Sequence, residues 1–265
     1  MPSLPSRLER FGTVDSTQRI VREWLAAGTP EVAIATADEQ LAGRGRQGRA
    51  WTAPHGRALL LSAGFRPRDL ALHHGWRLAA IAALAMLDAA ERVTGLDGDT
   101  LWLKWPNDIV AVGEDGLLRK LAGVLGETTA TGAFVETAII GIGINADWPA
   151  NEFPTELAVG MTSLRELTLD RPIDRDRLLD AYLARLGPSY ESLLAGHFDA
   201  GGWTRRQLTT GRPVEVLLGE ALVHGQATGV DPETGALLVR TTEAVIAIDS
   251  GEVTRCRLLD LPGRG

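Results

Sequence analysis

The chain has 265 residues, of which 45% are hydrophobic and 23% charged, and a formal net charge of -7. A chain of this length buries a core without help from metals or disulfides, and its single cysteine, Cys256, excludes an internal disulfide framework and suits a reducing cytoplasm. The acidic balance argues against general nucleic-acid binding, and with no run of 18 apolar residues or signal pattern no membrane span is expected.

The first residues, up to about Leu8, are punctuated by Pro and Ser and read as loose. Residues 9–14 suit a short strand. Asp15-Ser16-Thr17-Gln18 reads as a helix start, followed by Ile20, Val21, Trp24 and Leu25 at helical spacing. Ser16 or Thr17 suits the N-cap, and the same hydroxyls beside the first free N–H groups suit a polar ligand. Residues 31–39 read as a strand that runs into Gly43-Arg44-Gly45-Arg46-Gln47-Gly48-Arg49. Three glycines and three arginines fall in those seven residues, with no acid among them. Glycine lets backbone N–H groups turn towards a ligand, and arginine offers a planar fork of donors to carboxylate and phosphate. The stretch therefore reads as an anion cradle or as a solvated basic loop. Residues 58–65 form an apolar run that suits a buried strand. The loop from Gly43 to Arg57 thus joins two core strands, and loops of that length are usually functional.

Residues 70–93 carry the longest helical pattern, ended by Gly95 and Gly98. Residues 100–112 contain Lys104 between Trp102 and Trp105, then Pro106-Asn107-Asp108 as a turn. A lysine so placed either snorkels from an edge strand or brings an ammonium into a cleft. Residues 113–116 read as a hairpin tip, 119–127 as the returning strand with Lys120 and Gly123, and 134–144 as a further strand ending in Gly141-Ile142-Gly143-Ile144-Asn145. Alternation places both glycines on one face, where something approaches closely. Residues 147–160 read as an irregular loop, 174–194 as a helix kinked at Pro188, and Gly201-Gly202-Trp203 as a lead-out. From Gly211 five or six short strands follow in close succession, which describes a small β-barrel with a domain boundary near residue 210.

The chain has no metal-ligand spacing of Cys and His, no G-x-S-x-G nucleophile elbow and no Walker A loop. Arg44, Arg46, Arg49, Lys104 and Lys120 are then left to stabilise charge on a substrate. Such a set fits adenylation, in which a carboxylate attacks an α-phosphate and two anions must be neutralised together.

The Gly43–Arg49 run preceded by Gln40 and followed by Trp51, Lys104-Trp105-Pro106-Asn107-Asp108, Lys120-Leu121-Ala122-Gly123-Val124-Leu125 and the Gly141–Asn145 run resemble, in order and spacing, the motif series of biotin protein ligases. The resemblance implies an α+β fold: a mixed β-sheet with flanking helices of the biotin/lipoate ligase, class II synthetase-like type over residues 1–209, and a small SH3-like β-barrel over 210–265. It implies that biotin and ATP, with Mg²⁺, give biotinyl-5′-AMP, and that a lysine of a biotin carboxyl carrier protein then takes the biotin. By matching positions, Ser16, Thr17, Gln18 and Gln40 would meet the ureido end of biotin, and Gly43, Arg44, Gly45, Arg46 and Gly123 would line its path. Gly141 and Gly143 would leave room for its rings and valeryl chain. Arg46, Arg49, Trp51, Asn107 and Lys120 would meet ATP. Lys104 would bridge the carboxylate and the α-phosphate, with Arg44 and Arg46 as its catalytic companions. Asn145 would lie by the phosphates or Mg²⁺, which has no direct protein ligand otherwise, and Trp203 would stack on adenine. Gln18 stands where the family usually has Asn. The resemblance further implies a cytoplasmic ligase without a DNA-binding or repressor role; the sequence does not fix the oligomeric state, and an edge strand near residues 137–142 or the barrel could pair two chains as a homodimer. A lipoate or octanoate ligase of the same fold and a non-catalytic biotin-sensing module are the alternatives. The Gly43–Arg49 loop is expected to be mobile when empty, because ordering costs about 1–2 kcal/mol per residue and its three cations repel until an anion arrives.

Overall fold

Two strands with apolar residues on both faces, Ala58–Phe65 and Phe134–Asn145, need cover above and below, and they form the middle of a seven-stranded sheet. The computed structural model describes residues 4–113 and 115–256. The strands are β1 (Arg7–Val14), β2 (Ala33–Gln40), β3 (Ala58–Phe65), β4 (Leu101–Lys104), β5 (Asp108–Val112), β6 (Leu118–Thr131) and β7 (Phe134–Asn145), in the spatial order β1-β2-β3-β7-β6-β5-β4. β1 and β2 are parallel and every other pair is antiparallel, so the sheet is mixed.

One face is covered by α2 (Trp76–Thr94) packed against α4 (Arg175–Leu194), where Leu59, Leu61, Phe65, Ile140, Ile142 and Ile144 join the main core. The other face is covered over part of its width by α1 (Thr17–Ala26), through Ile20, Val21, Trp24 and Leu25 against Ala33, Ala35 and Ile139. Gly64 permits this contact, since a Cβ there would come within 2.5 Å of Val21 Cγ1. Beyond the start of α1 the same face carries Gly123, Gly141 and Gly143, and no helix covers it there.

Several boundaries differ from the expected ones. β1 starts at Arg7, not after a loose stretch to Leu8, because Ser6 and the strand bond to the β2 side through Val32. The helix expected from residue 70 starts at Trp76. The preceding turn is tied to the start of β7 by Leu72 N–H to Ala133 O and Val135 N–H to Leu70 O, at 2.8 and 2.9 Å. α4 continues through Pro188, past which the Ser189 hydroxyl donates to Arg185 O at 3.0 Å. Gly201-Gly202-Trp203 is not a lead-out but part of α5 (Ala200–Arg205), capped by Asp199, whose carboxylate accepts from Gly202 N. The short α3 (Leu164–Leu167) precedes α4. Residues 137–142 are not an edge, because β7 is paired on both sides, with β3 and β6.

A second sheet of five antiparallel strands follows: β8 (Pro213–Leu218), β9 (Ala221–Val230), β10 (Leu237–Arg240), β11 (Val245–Ile248) and β12 (Glu252–Cys256), in the order β11-β10-β9-β8-β12. It closes on its own core of Val214, Val216, Ala227, Leu237, Val239 and Val253, as an SH3-like domain does. Gly229 and Val230 prolong β9, and Asp231 caps the turn after them, so the sheet has five strands, within the expected five or six. Expectations at residues 1–3, at the hairpin tip Glu114 and for the strand end at Leu258 fall outside the described residues. No helix among the described residues is long and apolar enough to cross a membrane.

Candidate active site

The open part of the sheet is the floor of a cavity of about 350 Å³ on the α1 face. Its polar end is built by the start of α1. Ser16 holds the N-cap position in extended backbone, yet its hydroxyl makes no capping bond. Gln40, at the end of β2, does that work instead: its Oε1 accepts from Thr17 N at 2.7 Å and from Thr17 Oγ1 at 3.0 Å. The Thr17 hydroxyl also meets Ser62 Oγ at 2.8 Å. The Ser16 hydroxyl and the Gln40 amide nitrogen therefore remain for a ligand. Gln18 lies across Gly141, where a Cβ would sit 3.1 Å from its Cδ, and its Nε2 donates to Leu125 O at 3.1 Å. The extra methylene of Gln18 is taken up in that reach.

Two of the expected free spaces are filled by the protein itself. Over Gly141 lies Gln18, and over Gly143 lies the Trp51 indole, 2.5 Å from where a Cβ would be. The glycines thus admit side chains that form the wall, and a ligand lies beside these side chains, not directly on the glycines. Trp51 also covers Gly123, and Lys120 Nζ stands 5.5 Å from the centre of its ring. Gly43 does not line the cavity. Its carbonyl accepts from Trp51 N at 2.9 Å, and a Cβ on it would run into the Trp51 carbonyl.

The other end is cationic. Arg44, on the bridge to Ala50, has no ion pair and no side-chain hydrogen bond among the described residues. Lys120 pairs with Asp108 at 2.6 Å. Asn107 clips β5 to β6, its Nδ2 donating to Val124 O at 2.9 Å. Asn145 donates through Nδ2 to Thr162 O at 2.9 Å, which leaves its oxygen for a ligand. The basic loop makes a single turn over Arg46–Gly48, with Gln47 and Gly48 in left-handed backbone (φ 56° and 73°). It does not hang free: Arg46 Nη1 donates to Gly251 O at 3.1 Å and Arg49 pairs with Glu252 at 2.8 Å. Burial holds the Arg46 guanidinium below its usual pKa, with Arg49 pushing the same way and Asp108 and Glu252 opposing.

Sequence reasoning gave no role to the segment Trp148–Met161, which closes the cationic end with Trp148, Leu157 and Met161. It is fixed along β6 by Lys120 N–H to Gly160 O and Thr162 N–H to Lys120 O, at 2.8 and 3.0 Å. Its length without periodicity was the available signal.

Lys104 and Trp203 do not line this cavity. They border a second one, of about 390 Å³, on the α2 face of the sheet, which shares Arg46 and Asn107 with the first. Lys104 Nζ donates to Val253 O at 2.7 Å. Burial lowers its pKa; Asp108 works against that and Lys120 adds to it. Trp203 packs in the main core against Trp76, ring centres 5.9 Å apart, and not beside Lys120 and Asn145 as a common nucleotide site would require.

A polar end, an aromatic wall and a cationic end suit one ligand with a hydrogen-bonding head, an apolar stem and an anionic tail. Residues 11–145 match the biotin/lipoate A/B protein ligase family, and residues 209–254 match the biotin protein ligase C-terminal domain. The chain belongs to the biotin/lipoate A/B protein ligase family. Within this family it is 32% identical over 242 residues to the bifunctional ligase/repressor BirA of Bacillus subtilis, covering 91% of this chain and 71% of that one. It is 33% identical over 227 residues to the biotin–[acetyl-CoA-carboxylase] ligase of Mycobacterium tuberculosis, covering 84% and 79%. The biotin protein ligase of Aquifex aeolicus in complex with biotin and ATP superposes with a TM-score of 0.76 at 30% identity, covering 94% of this chain and 97% of that one.

Proposed function

We propose that this ligase joins biotin and ATP into biotinyl-5′-AMP and then passes the biotin to a lysine of a biotin carboxyl carrier protein, in the cytoplasm. The observation that carries the reading is the order of groups along the first cavity: Ser16, Thr17 and Gln40 at one end, Trp51 in the middle, and Arg44 and Lys120 at the other. The ureido head takes the hydroxyls and the Gln40 amide, the rings lie against Trp51, and the carboxylate reaches Arg44. The match of residues 209–254 to the biotin protein ligase C-terminal domain favours biotin over lipoate. We assign residues 1–209 to the catalytic domain and the remainder to the C-terminal domain.

In the first step a biotin carboxylate oxygen bonds to the α-phosphorus and the bond to pyrophosphate breaks. Arg44 and Arg46 hold the two anions against each other, and Lys104 leaves the Val253 carbonyl to meet the charge that develops between them. Charge-assisted bonds to phosphate are stronger than one to a neutral carbonyl, which drives that exchange. Mg²⁺ would travel on the ATP phosphates and neutralise the leaving pyrophosphate. Among the described residues no group of three or more His, Cys, Asp or Glu forms a cage for it, and the Asn145 oxygen is the side-chain donor we assign beside it. In the second step the carrier amine attacks the acyl carbon and AMP leaves. Trp51 and the segment Trp148–Met161 keep water from the mixed anhydride until then. Pyrophosphate release measured with ATP, Mg²⁺ and either biotin or lipoate tests the first step: release with biotin is expected, and release with lipoate alone would overturn the substrate.

A further inference from the structure

Transfer to a carrier lysine, the reading on which this proposal rests, asks of the site what adenylation does not. In adenylation both reactants are anions. In transfer an amine attacks, and its nitrogen gains positive charge as the bond to the acyl carbon forms. The end of the cavity where this happens is cationic: Arg44, Arg46 and Arg49 come from the basic loop and Lys120 from β6. Asp108 takes up Lys120 at 2.6 Å, and Glu252 takes up Arg49 at 2.8 Å. Arg44 has no ion pair among the described residues and Arg46 rests on a carbonyl, so these two keep their charge for the cavity. Once pyrophosphate has left, the single phosphate charge of the adenylate faces them both. A nitrogen turning positive is disfavoured there unless a further negative charge stands near.

Among the described residues that line this cavity, one carries a carboxylate: Glu156. It stands on the stretch 148–161 that closes the cationic end. The turn that carries it is fastened on both sides: Pro154 O accepts from Leu157 N and from Ala158 N, both at 2.9 Å, and Gly160 O accepts from Lys120 N at 2.8 Å. The neighbouring carboxylates are occupied, Asp147 by Arg165 at 3.3 Å and Glu152 by Arg57 at 2.6 Å. Glu156 has no ion pair and no side-chain hydrogen bond among the described residues, and it is exposed as well as part of the lining. A carboxylate at the rim is reachable from outside and from the reaction cavity at once, which is what a side chain arriving on another protein requires.

We infer that Glu156 is a catalytic residue of the transfer step: it accepts the N–H of the attacking lysine and takes its proton. The lysine enters as the neutral amine, its first proton left in water. The nitrogen lone pair forms the bond to the acyl carbon, the bond from that carbon to the phosphate oxygen breaks, and the electron pair leaves on AMP. The nitrogen then holds one proton too many for an amide, and Glu156 takes that proton and returns it to water. While the nitrogen is positive, the carboxylate offsets Arg44 and Arg46 through a charge-assisted hydrogen bond. Attack by the biotin carboxylate in the first step has no proton to move, so the need for Glu156 arises in the second.

The test starts from the protein loaded with synthetic biotinyl-5′-AMP, which bypasses the first step, and follows single-turnover acyl transfer to three acceptors: a biotin carboxyl carrier domain, lysine blocked at its α-amino and carboxyl groups, and a small thiol that attacks as its thiolate. Glu156→Gln is expected to transfer to the carrier and to the blocked lysine about 10²-fold more slowly than the wild type, the usual contribution of a group that takes a proton in the transition state. Transfer to the thiol is expected to keep its rate, because a thiolate sheds no proton and gains no positive charge. Equal rates of wild type and variant with the two amines would overturn the proposal. So would an equal loss with amines and thiol, the mark of a disturbed cavity or a misfolded variant. Absence of any transfer from the wild type to the carrier would overturn the biotin-transfer reading and the proposal with it.

Discussion

The Lys104 ammonium, at the end of β4, donates to the carbonyl of Val253 in β12 at 2.7 Å. The two preceding residues hold the basic loop in the same way, Gly251 through Arg46 and Glu252 through Arg49. Three cations of the catalytic sheet thus rest on three consecutive residues of the C-terminal sheet. Two of the three contacts, those of Arg46 and Lys104, end on neutral carbonyls, which are weak acceptors beside phosphate, so substrate anions can take these two cations over, and the C-terminal sheet responds with them.

Lys104→Met should slow adenylate formation about 10²–10³-fold, the usual cost of removing a group that stabilises transition-state charge. Its melting temperature should not fall, because the fold pushes the Lys104 pKa down and therefore disfavours its charged form. Pyrophosphate release at the wild-type rate would show that Lys104 stays on Val253 throughout.

The same lowered pKa sets an alkaline limit. Adenylation needs the Lys104 charge, so its rate should fall at a pH below the roughly 10.4 of an ordinary lysine. Stability moves the other way. The folded value lies below the unfolded one, so the folded state loses its proton first, and stability rises with pH between the two. Lys104→Met should flatten that rise in denaturant titrations run at a series of alkaline pH values.

Gly143→Ala places a methyl 2.5 Å from Trp51 Nε1. The indole must move, at a cost of about 1–3 kcal/mol for overpacking. The biotin KM should rise more than kcat falls, since the wall is displaced while Arg44 and Arg46, which hold the two anions, are not in contact with the added methyl. Adding Trp51→Phe should recover part of the lost stability, a coupling that a double-mutant cycle of melting curves measures. Strict additivity would mean that the two residues do not press on each other in solution.

Glu252→Ala removes a pair whose side chains are 58% and 30% exposed on Arg49 and Glu252. Such a pair contributes at most about 1 kcal/mol, so the melting temperature should barely change. Amide exchange across residues 44–50 should speed up, and biotin with a non-hydrolysable ATP analogue should slow it again. Unchanged exchange in the variant would mean that Arg46 and the backbone hold the loop alone.

Much of the site was legible in the sequence because its signals are local. The alternation of Gly141 and Gly143 with Ile142 and Ile144 fixed which face is open, and β3 runs from Ala58 to Phe65 as its unbroken apolar stretch requires. What failed depends on strand order and on faces. Residues 137–142 alternate like an edge but lie between β3 and β6. Trp203 stands close in sequence to the C-terminal sheet, yet α5 turns it into the core under Trp76. Lys104 ends β4 just before the expected turn, but the contact that holds it comes from residue 253, nearly 150 positions away. Met161 carried no periodic signal, since its place is set by a backbone bridge to Lys120.

The central claim is transfer of biotin to protein, and intact mass spectrometry of an isolated biotin carboxyl carrier domain incubated with this chain, ATP, Mg²⁺ and biotin tests it most directly. The account predicts a gain of one biotinyl group per carrier, lost when the carrier's acceptor lysine is replaced and absent when lipoate replaces biotin. An unchanged carrier mass with biotin, or modification with lipoate instead, would contradict it.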